Sequence, residues 1–478
     1  MLNKYSLKLL LFSAMLSAVG QVSGQSAAMS LSDCISYALE NHPNIKVAQL
    51  QVTEADLRIK ENKATGLPQL SAGLSYNYFI QRGGLPSSAL GFGTSGPIDL
   101  TSALPNFSAA QVGDLNGVFG GLFASDPDAK VYFNSVHSAS GTLSANQLIF
   151  NNSYLLALKA ARYYREYVNR QLEVSKQTVR NQVIDAYLPA LLLSENLGIL
   201  DKNISNLEKL FNETKAINKA GFAEQLDVDR LELSLANLRS ERGSLARQRE
   251  IVVSALKFTM GMPVATDLSL TDDLAKLLAA YSDADLATPV NLMNRPEYTQ
   301  LLKGRDLGAL QVDLYSKPWM PTVAGFVQWQ GGLQGGFGAK DSEGFDKWFY
   351  IPSTLAGISV NVPLYDGGGS KAKRQRAVLQ VEVIDNQRKV LENAINLEVE
   401  SARKQYVNAA ERMANQQKNL ALAQRIYDTT QTKYKAGVGS SFEITQAESG
   451  LYTAQQLLMQ AQYDLLTARV AIKKALGL

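Results

Sequence analysis

Lys435-Ala436-Gly437-Val438-Gly439-Ser440-Ser441-Phe442-Glu443-Ile444-Thr445-Gln446-Ala447-Glu448 reads as a tight turn between two long helices. Gly437 and Gly439 supply backbone freedom where the first helix must stop. Ser440 and Ser441 offer oxygens to cap the free N–H groups of the helix that follows. Glu443 places negative charge in the first turns of that helix, where the dipole favours it. The same plan occurs earlier as Lys219-Ala220-Gly221-Phe222-Ala223-Glu224-Gln225-Leu226-Asp227-Val228-Asp229-Arg230-Leu231-Glu232, with Lys-Ala-Gly 216 positions apart. At that offset Asp227 meets Glu443, and the register holds until Met260-Gly261-Met262 meets Leu476-Gly477-Leu478. A duplicated helix–turn–helix hairpin is therefore the skeleton of the chain.

The helices leading into these turns are very long. From Ser153 to about Ala220 the pattern is helical, and Val183, Ala186, Ala190, Leu193, Leu197, Leu200, Ile204, Leu207 and Phe211 alternate by three and four, as in a coiled-coil seam. Pro189 lies within it and is expected to bend it. About 68 residues at about 1.5 Å each reach roughly 100 Å, more than a compact domain needs. The return helix carries Leu231, Leu235, Leu238, Leu245, Val252 and Leu256 on its seam, and the second long helix carries Ile395, Val399, Ala402, Tyr406, Ala409 and Met413.

Before each long helix the period changes from 3.6 to 2. After a helix start at Ser30-Leu31-Ser32-Asp33 and a break at Asn41-His42-Pro43-Asn44, Pro68 opens a strand in which Leu70, Ala72, Leu74, Tyr76, Tyr78 and Ile80 alternate with mostly polar residues. A Gly-, Ser-, Pro- and Asn-rich loop over 82–140 separates it from a strand around Gly141–Phe150. Asn294-Arg295-Pro296-Glu297 and Trp319-Met320-Pro321-Thr322-Val323 echo the helix break and strand start 253 positions on. Strands are predicted near Pro321–Gln330 and Leu355–Leu364. Asp366-Gly367-Gly368-Gly369-Ser370-Lys371 lacks the Walker spacing and is read as a strand-to-helix turn.

Composition narrows the chemistry. The 478 residues carry 47 Lys+Arg against 44 Asp+Glu, with no nucleic-acid footprint. His42, His137 and Cys34 are too few for a zinc cluster, a Cys/His nucleophile pair or a disulfide, and no cofactor is expected. Lys4 and Lys8, an apolar run from Leu9 to Val19, and Val22-Ser23-Gly24 read as a signal peptide over 1–24. Asp33 is the wrong neighbour for a lipidated cysteine, so Cys34 is expected as a buried small hydrophobe. No later stretch has about 18 uncharged apolar residues, so membrane residence would take the form of a β-barrel.

In each repeat the order is short helices, strand, long loop, strand, long helix, Gly turn, long helix. The features are the Pro43 and Pro296 helices, the Pro68 and Pro321 strand starts, Pro363-Leu364-Tyr365-Asp366-Gly367-Gly368, the two Lys-Ala-Gly tips and the closing Leu476-Gly477-Leu478. In that duplicated order the chain resembles the TolC outer-membrane efflux family, the outer membrane factors of tripartite efflux and type I secretion systems. The resemblance implies a mainly α fold with membrane β structure: a homotrimer with a helical tunnel in the periplasm and a shared twelve-stranded outer-membrane β-barrel, four strands per chain. It divides the mature chain into a first repeat over 25–262, an equatorial linker over 263–292 and a second repeat over 293–478.

The family function implied is a passive exit duct in the outer membrane of a Gram-negative bacterium, opened at its periplasmic tip by a periplasmic adaptor and an inner-membrane transporter, and not an enzyme. By position, Asp227 and Tyr434 match residues that tie neighbouring helices together, and Glu443 matches an inward acidic ring. Gln446 stands where a second Asp is usual and Gly439 where an Arg latches the closed state, so a weaker latch is expected. Glu443 has helix capping as its alternative role. Gly221, Phe222, Gly437 and Val438 are candidates for adaptor docking, because Phe222 and Val438 are apolar where a free turn is normally polar; packing against the neighbouring hairpin is the alternative. A periplasmic coiled-coil adaptor or scaffold without a pore is the competing reading, and the four alternating strands argue against it.

Overall fold

The computed structural model describes residues 27–86, 130–132, 135–281, 288–340 and 346–478. Residues 1–24, expected as a signal peptide, most of 82–140, expected as a loop, and 282–287 of the expected linker lie outside the described residues. The elements run β1 (Ala27–Met29), α1 (Leu31–Asn41), α2 (Pro43–Thr65), β2 (Gln69–Tyr78), β3 (Gly84–Pro86), β4 (Lys130–Tyr132), β5 (His137–Phe150) and α3 (Asn152–Lys219). Then come α4 (Gln225–Met260), β6 (Leu268–Leu270), α5 (Leu274–Ala280), a 3₁₀ turn (Leu292–Asn294), α6 (Pro296–Ser316), β7 (Thr322–Lys340), β8 (Asp346–Asn361), α7 (Gly369–Lys435) and α8 (Ser441–Leu476). They form two compact units, a helical one (the described residues of Met1–Ile59, with Lys159–Tyr315 and Lys371–Leu478) and a strand one (Lys60–Leu158 and Ser316–Ser370).

In the helical unit, Ser30 caps α1: its hydroxyl accepts from the Asp33 N–H at 3.2 Å, and the Asp33 carboxylate accepts from the Ser30 N–H at 3.0 Å. That is the reciprocal capping box. The seam residues on α3 are buried or half-buried, and the helix runs through Pro189. One core joins Tyr187, Leu188 and Leu191 of α3 to Leu256 and Met260 of α4, Leu466 of α8 and Ile45 of α2; a second, nearer the Gly turns, joins Leu207 and Leu210 to Leu231, Ile444 and Leu451. Cys34 is fully buried in the first, which pushes its thiol up to about 12. As expected, no 18-residue stretch of α3 is free of charged residues; by length and overall composition one window is still apolar enough to cross a membrane, and 39% of it is buried within the chain.

The duplication is visible in three dimensions. Gly261, with φ +72°, ends α4 against the His42–Pro43 backbone. Gly477, with φ +75°, ends α8 against Asn294 and Arg295. A Cβ on Gly477 would come within 2.8 Å of the Asn294 carbonyl oxygen. Arg295 adds what His42 does not supply. Its guanidinium, on a 10% exposed side chain, donates to the carbonyls of Lys474 at 3.1 Å and Ala475 at 2.7 Å, and pairs with Glu398 at 3.0 Å. A cation thus sits at the negative end of α8.

The strand unit is a four-stranded antiparallel sheet in the order β2-β5-β7-β8. Its register sorts the faces. Leu70, Ala72, Leu74 and Tyr76 lie opposite Ala145, Leu143, Gly141 and Ala139, while Ser71 and Ser75 lie opposite Ser144 and Ser140. On β7 and β8 the apolar face continues with Val327, Trp329 and Leu333 beside Ala356, Thr354 and Tyr350, and the other face carries Gln328, Gln330 and Gln334. Tyr76, Tyr78 and Trp348 gather around His137 at the loop end, with ring centroids 6.3, 5.1 and 5.9 Å away. Aromatic rings at one rim of an apolar band suit a membrane–water interface.

Strand bounds depart from expectation. Phe79 and Ile80 lie beyond β2, β5 starts at His137, β7 continues to Lys340, and β8 spans Asp346–Asn361 instead of ending at Leu364. Pro363 has no N–H to give to a ladder, which accounts for the early end. The glycines of β7 hid its length; Gly331 and Gly335 are covered by Trp329, Tyr350 and Trp348.

Candidate functional site

The two hairpin tips have the same backbone. Gly221 takes φ +85° and Gly437 φ +76°; the N–H of Phe222 donates to Ile217 at 3.0 Å, and that of Val438 to Lys433 at 3.1 Å. These are Schellman closures, for which glycine at the left-handed position is the usual solution. A Cβ at Gly221 or Gly437 would meet nothing within 4 Å, so both tips stand open. Phe222 is 86% exposed and Val438 78%. Within the chain, neither packs on the neighbouring hairpin.

Beyond the tips the hairpins are tied together. The Ser441 hydroxyl donates to the Asp227 carboxylate, joining α8 to α4. The Arg230 guanidinium lies 3.4 Å from the Ser441 oxygen and 6.0 Å from the centroid of the Phe442 ring. Tyr434 near the end of α7 shares a hydrogen bond of 3.0 Å with Thr214 on α3. Asp227 and Tyr434 thus each take part in a separate cross-hairpin bond, one between α4 and α8 and one between α7 and α3. Ser441 belongs to the first and does not cap; the cap of α8 is Ser440, whose hydroxyl accepts from the Glu443 N–H at 3.2 Å. The sequence pointed to neither Thr214 nor Arg230 and suggested Ser441 only as a cap, because the register between hairpins is invisible along one chain.

Glu443 and Gln446 lie on α8 away from its seam, exposed, and among the described residues neither side chain has a hydrogen-bond partner. The seam consists of Ser441, Ile444, Glu448, Leu451 and Gln455, the last accepting from Asn203 at 2.9 Å. Its spacing of three and four would have marked Glu448 as a buried carboxylate.

A sheet with one apolar and one polar face, carried with long paired helices, defines an outer-membrane channel subunit. The chain belongs to the outer membrane efflux protein family, which it matches over residues 34–262 and 292–478. It is 24% identical over 432 residues to the pyoverdine export outer membrane protein OpmQ of Pseudomonas aeruginosa, spanning 87% of this chain and 86% of that one. Among solved structures it resembles VceC of Vibrio cholerae, with TM-score 0.63, 15% identity, and coverage of 94% and 96%. It also resembles the open state of MtrE of Neisseria gonorrhoeae, with TM-score 0.64, 15% identity, and coverage of 94% and 88%. The fold is the barrel-plus-tunnel class, and the chain is an exit duct of the Gram-negative outer membrane. The reading of an adaptor without a pore is set aside.

Proposed function

We propose that the chain works as a passive homotrimeric duct of a tripartite efflux or type I secretion system, opened at its periplasmic hairpin tips by an adaptor and an inner-membrane transporter. One observation carries the reading. The outer edges of β2 and β8 have no partner strand among the described residues, and both strands are exposed on both faces almost throughout. An open edge is untenable in lipid, because each unpaired backbone group costs several kcal/mol. The directions alternate along β2-β5-β7-β8, so β8 of one copy meets β2 of the next in antiparallel sense. Repetition of the sheet then closes a barrel with Ser71, Ser75 and Gln328 toward water. Such a duct binds nucleic acid nowhere and needs no cofactor or catalytic group.

At the tips, Asp227 and Tyr434 hold the hairpins together, and Glu443 with Gln446 faces the axis. Capping falls to Ser440, which leaves the Glu443 carboxylate for a ring that attracts cations. Gly221, Phe222, Gly437 and Val438 are the docking surface for the adaptor. The test is the detergent-extracted full chain in planar bilayers: a trimer with ion-conducting pores supports the duct, and a monomer without pores refutes it.

A further inference from the structure

One carboxylate near the tips takes no part in the features above. Glu448 occupies the α8 seam between Ile444 and Leu451 and is only 8% exposed. Among the described residues it has no hydrogen bond and no ion pair. The core to which Ile444 and Leu451 belong includes Leu207 and Leu210 of α3, Leu231 and Leu235 of α4, and Tyr427 of α7. Tyr427 feels the charges of Glu448, Asp428 on α7 and Glu213 on α3, all of one sign. The cations on the neighbouring elements are engaged elsewhere: Arg230 on α4 at Ser441 and Phe442, Lys215 on α3 over the Phe211 ring, and Arg239 on α4 with Glu208. The counterpart in the first repeat, Glu232, is exposed. The burial therefore belongs to the second hairpin alone.

We propose that Glu448 is a proton-binding residue of the gate: neutral, it packs in the seam and holds the α7–α8 hairpin against α3 and α4; ionised, it favours the open tip, where water reaches it. The proposal rests on the duct reading and adds to it a residue outside the ring at Glu443. A buried carboxylate without a partner favours the acid form, because burial penalises the charge. Burial accordingly raises its pKa from 4.5 to about 7. The sign follows. Below pH 4.5 the group is protonated whether the seam is packed or open, and packing is strongest. Between 4.5 and about 7 the packed seam keeps a proton that the hydrated group has lost, so opening gains up to about tenfold per pH unit. Above about 7 both forms are ionised and the gain levels off.

The test compares the full-length wild type with Glu448→Gln and Glu448→Leu in planar bilayers from about pH 4.5 to about pH 8.5. The wild type is expected to open at least about tenfold more often at the alkaline end, levelling near neutrality, while both variants stay at the acid level at every pH. A flat wild-type profile, or the same rise in both variants, overturns the assignment. Absence of pores in the wild type refutes the duct reading instead. If neither variant assembles, infrared titration of wild-type carboxyls decides: a protonated carboxyl band that persists to about pH 6 supports the assignment, and its loss by about pH 5 overturns it.

Discussion

Arg295→Leu removes a cation that closes the second repeat, and its cost follows from the geometry. The Lys474 and Ala475 carbonyls lose charge-assisted bonds of 3.1 and 2.7 Å in a nearly buried site. Such bonds contribute about 1.5 kcal/mol each at the low end of their range. The ion pairs to Glu297 and Glu398 add less, because these carboxylates are 31% and 41% exposed and can rehydrate. About 3 kcal/mol of local stability is lost, or roughly a hundredfold in the opening of the last turns of α8. His42 provides an internal control. Its ring accepts one bond, from the Asn44 N–H at 3.1 Å, so His42→Ala costs under about 1 kcal/mol at the end of α4. Amide hydrogen exchange of the full chain in detergent reads both ends. Arg295→Leu is expected to speed exchange at Lys473–Leu476 by about two orders of magnitude, and His42→Ala to change Lys257–Met260 by less than about fivefold. Equal effects, or an unmoved α8 end, refute the reasoning.

The four positive-φ glycines at the helix ends should rank by space: alanine at Gly221 or Gly437 costs only left-handed strain of about 1–2 kcal/mol, whereas at Gly261 or Gly477 it also strikes backbone, and thermal unfolding should show the difference. Leu74→Lys places a charge on the apolar face and is expected to cost about 2–4 kcal/mol of barrel stability, while Ser75→Lys on the other face is tolerated and changes conductance; refolding into lipid and single-channel recording separate them. Glu443→Ala should raise open-pore conductance or weaken cation preference, and unchanged single-channel behaviour removes Glu443 from the gate.

What could be read along the chain was whatever repeats with a fixed period. The seam from Val183 to Phe211, the Lys-Ala-Gly tips and the Pro-led helices all follow from local spacing, and they fall where expected. The long strands were legible only where side chains alternate. Gly331, Gly332 and Gly335 have no side chain to mark a face, and Trp348-Phe349-Tyr350-Ile351 is apolar on both faces, so half of β7 and of β8 went unread. The bonds joining Asp227 to Ser441 and Thr214 to Tyr434 depend on how one hairpin registers on the other. No single stretch of sequence carries that register. Residues such as Arg295 lie outside periodic reasoning altogether, because their partners are 103 and 180 positions away.

A density map of the detergent-extracted protein tests the central claim most directly. The account predicts three copies in which β8 of each chain is hydrogen-bonded to β2 of the next around one closed ring. A single chain whose β2 and β8 pair with each other, or remain unpaired, would contradict it.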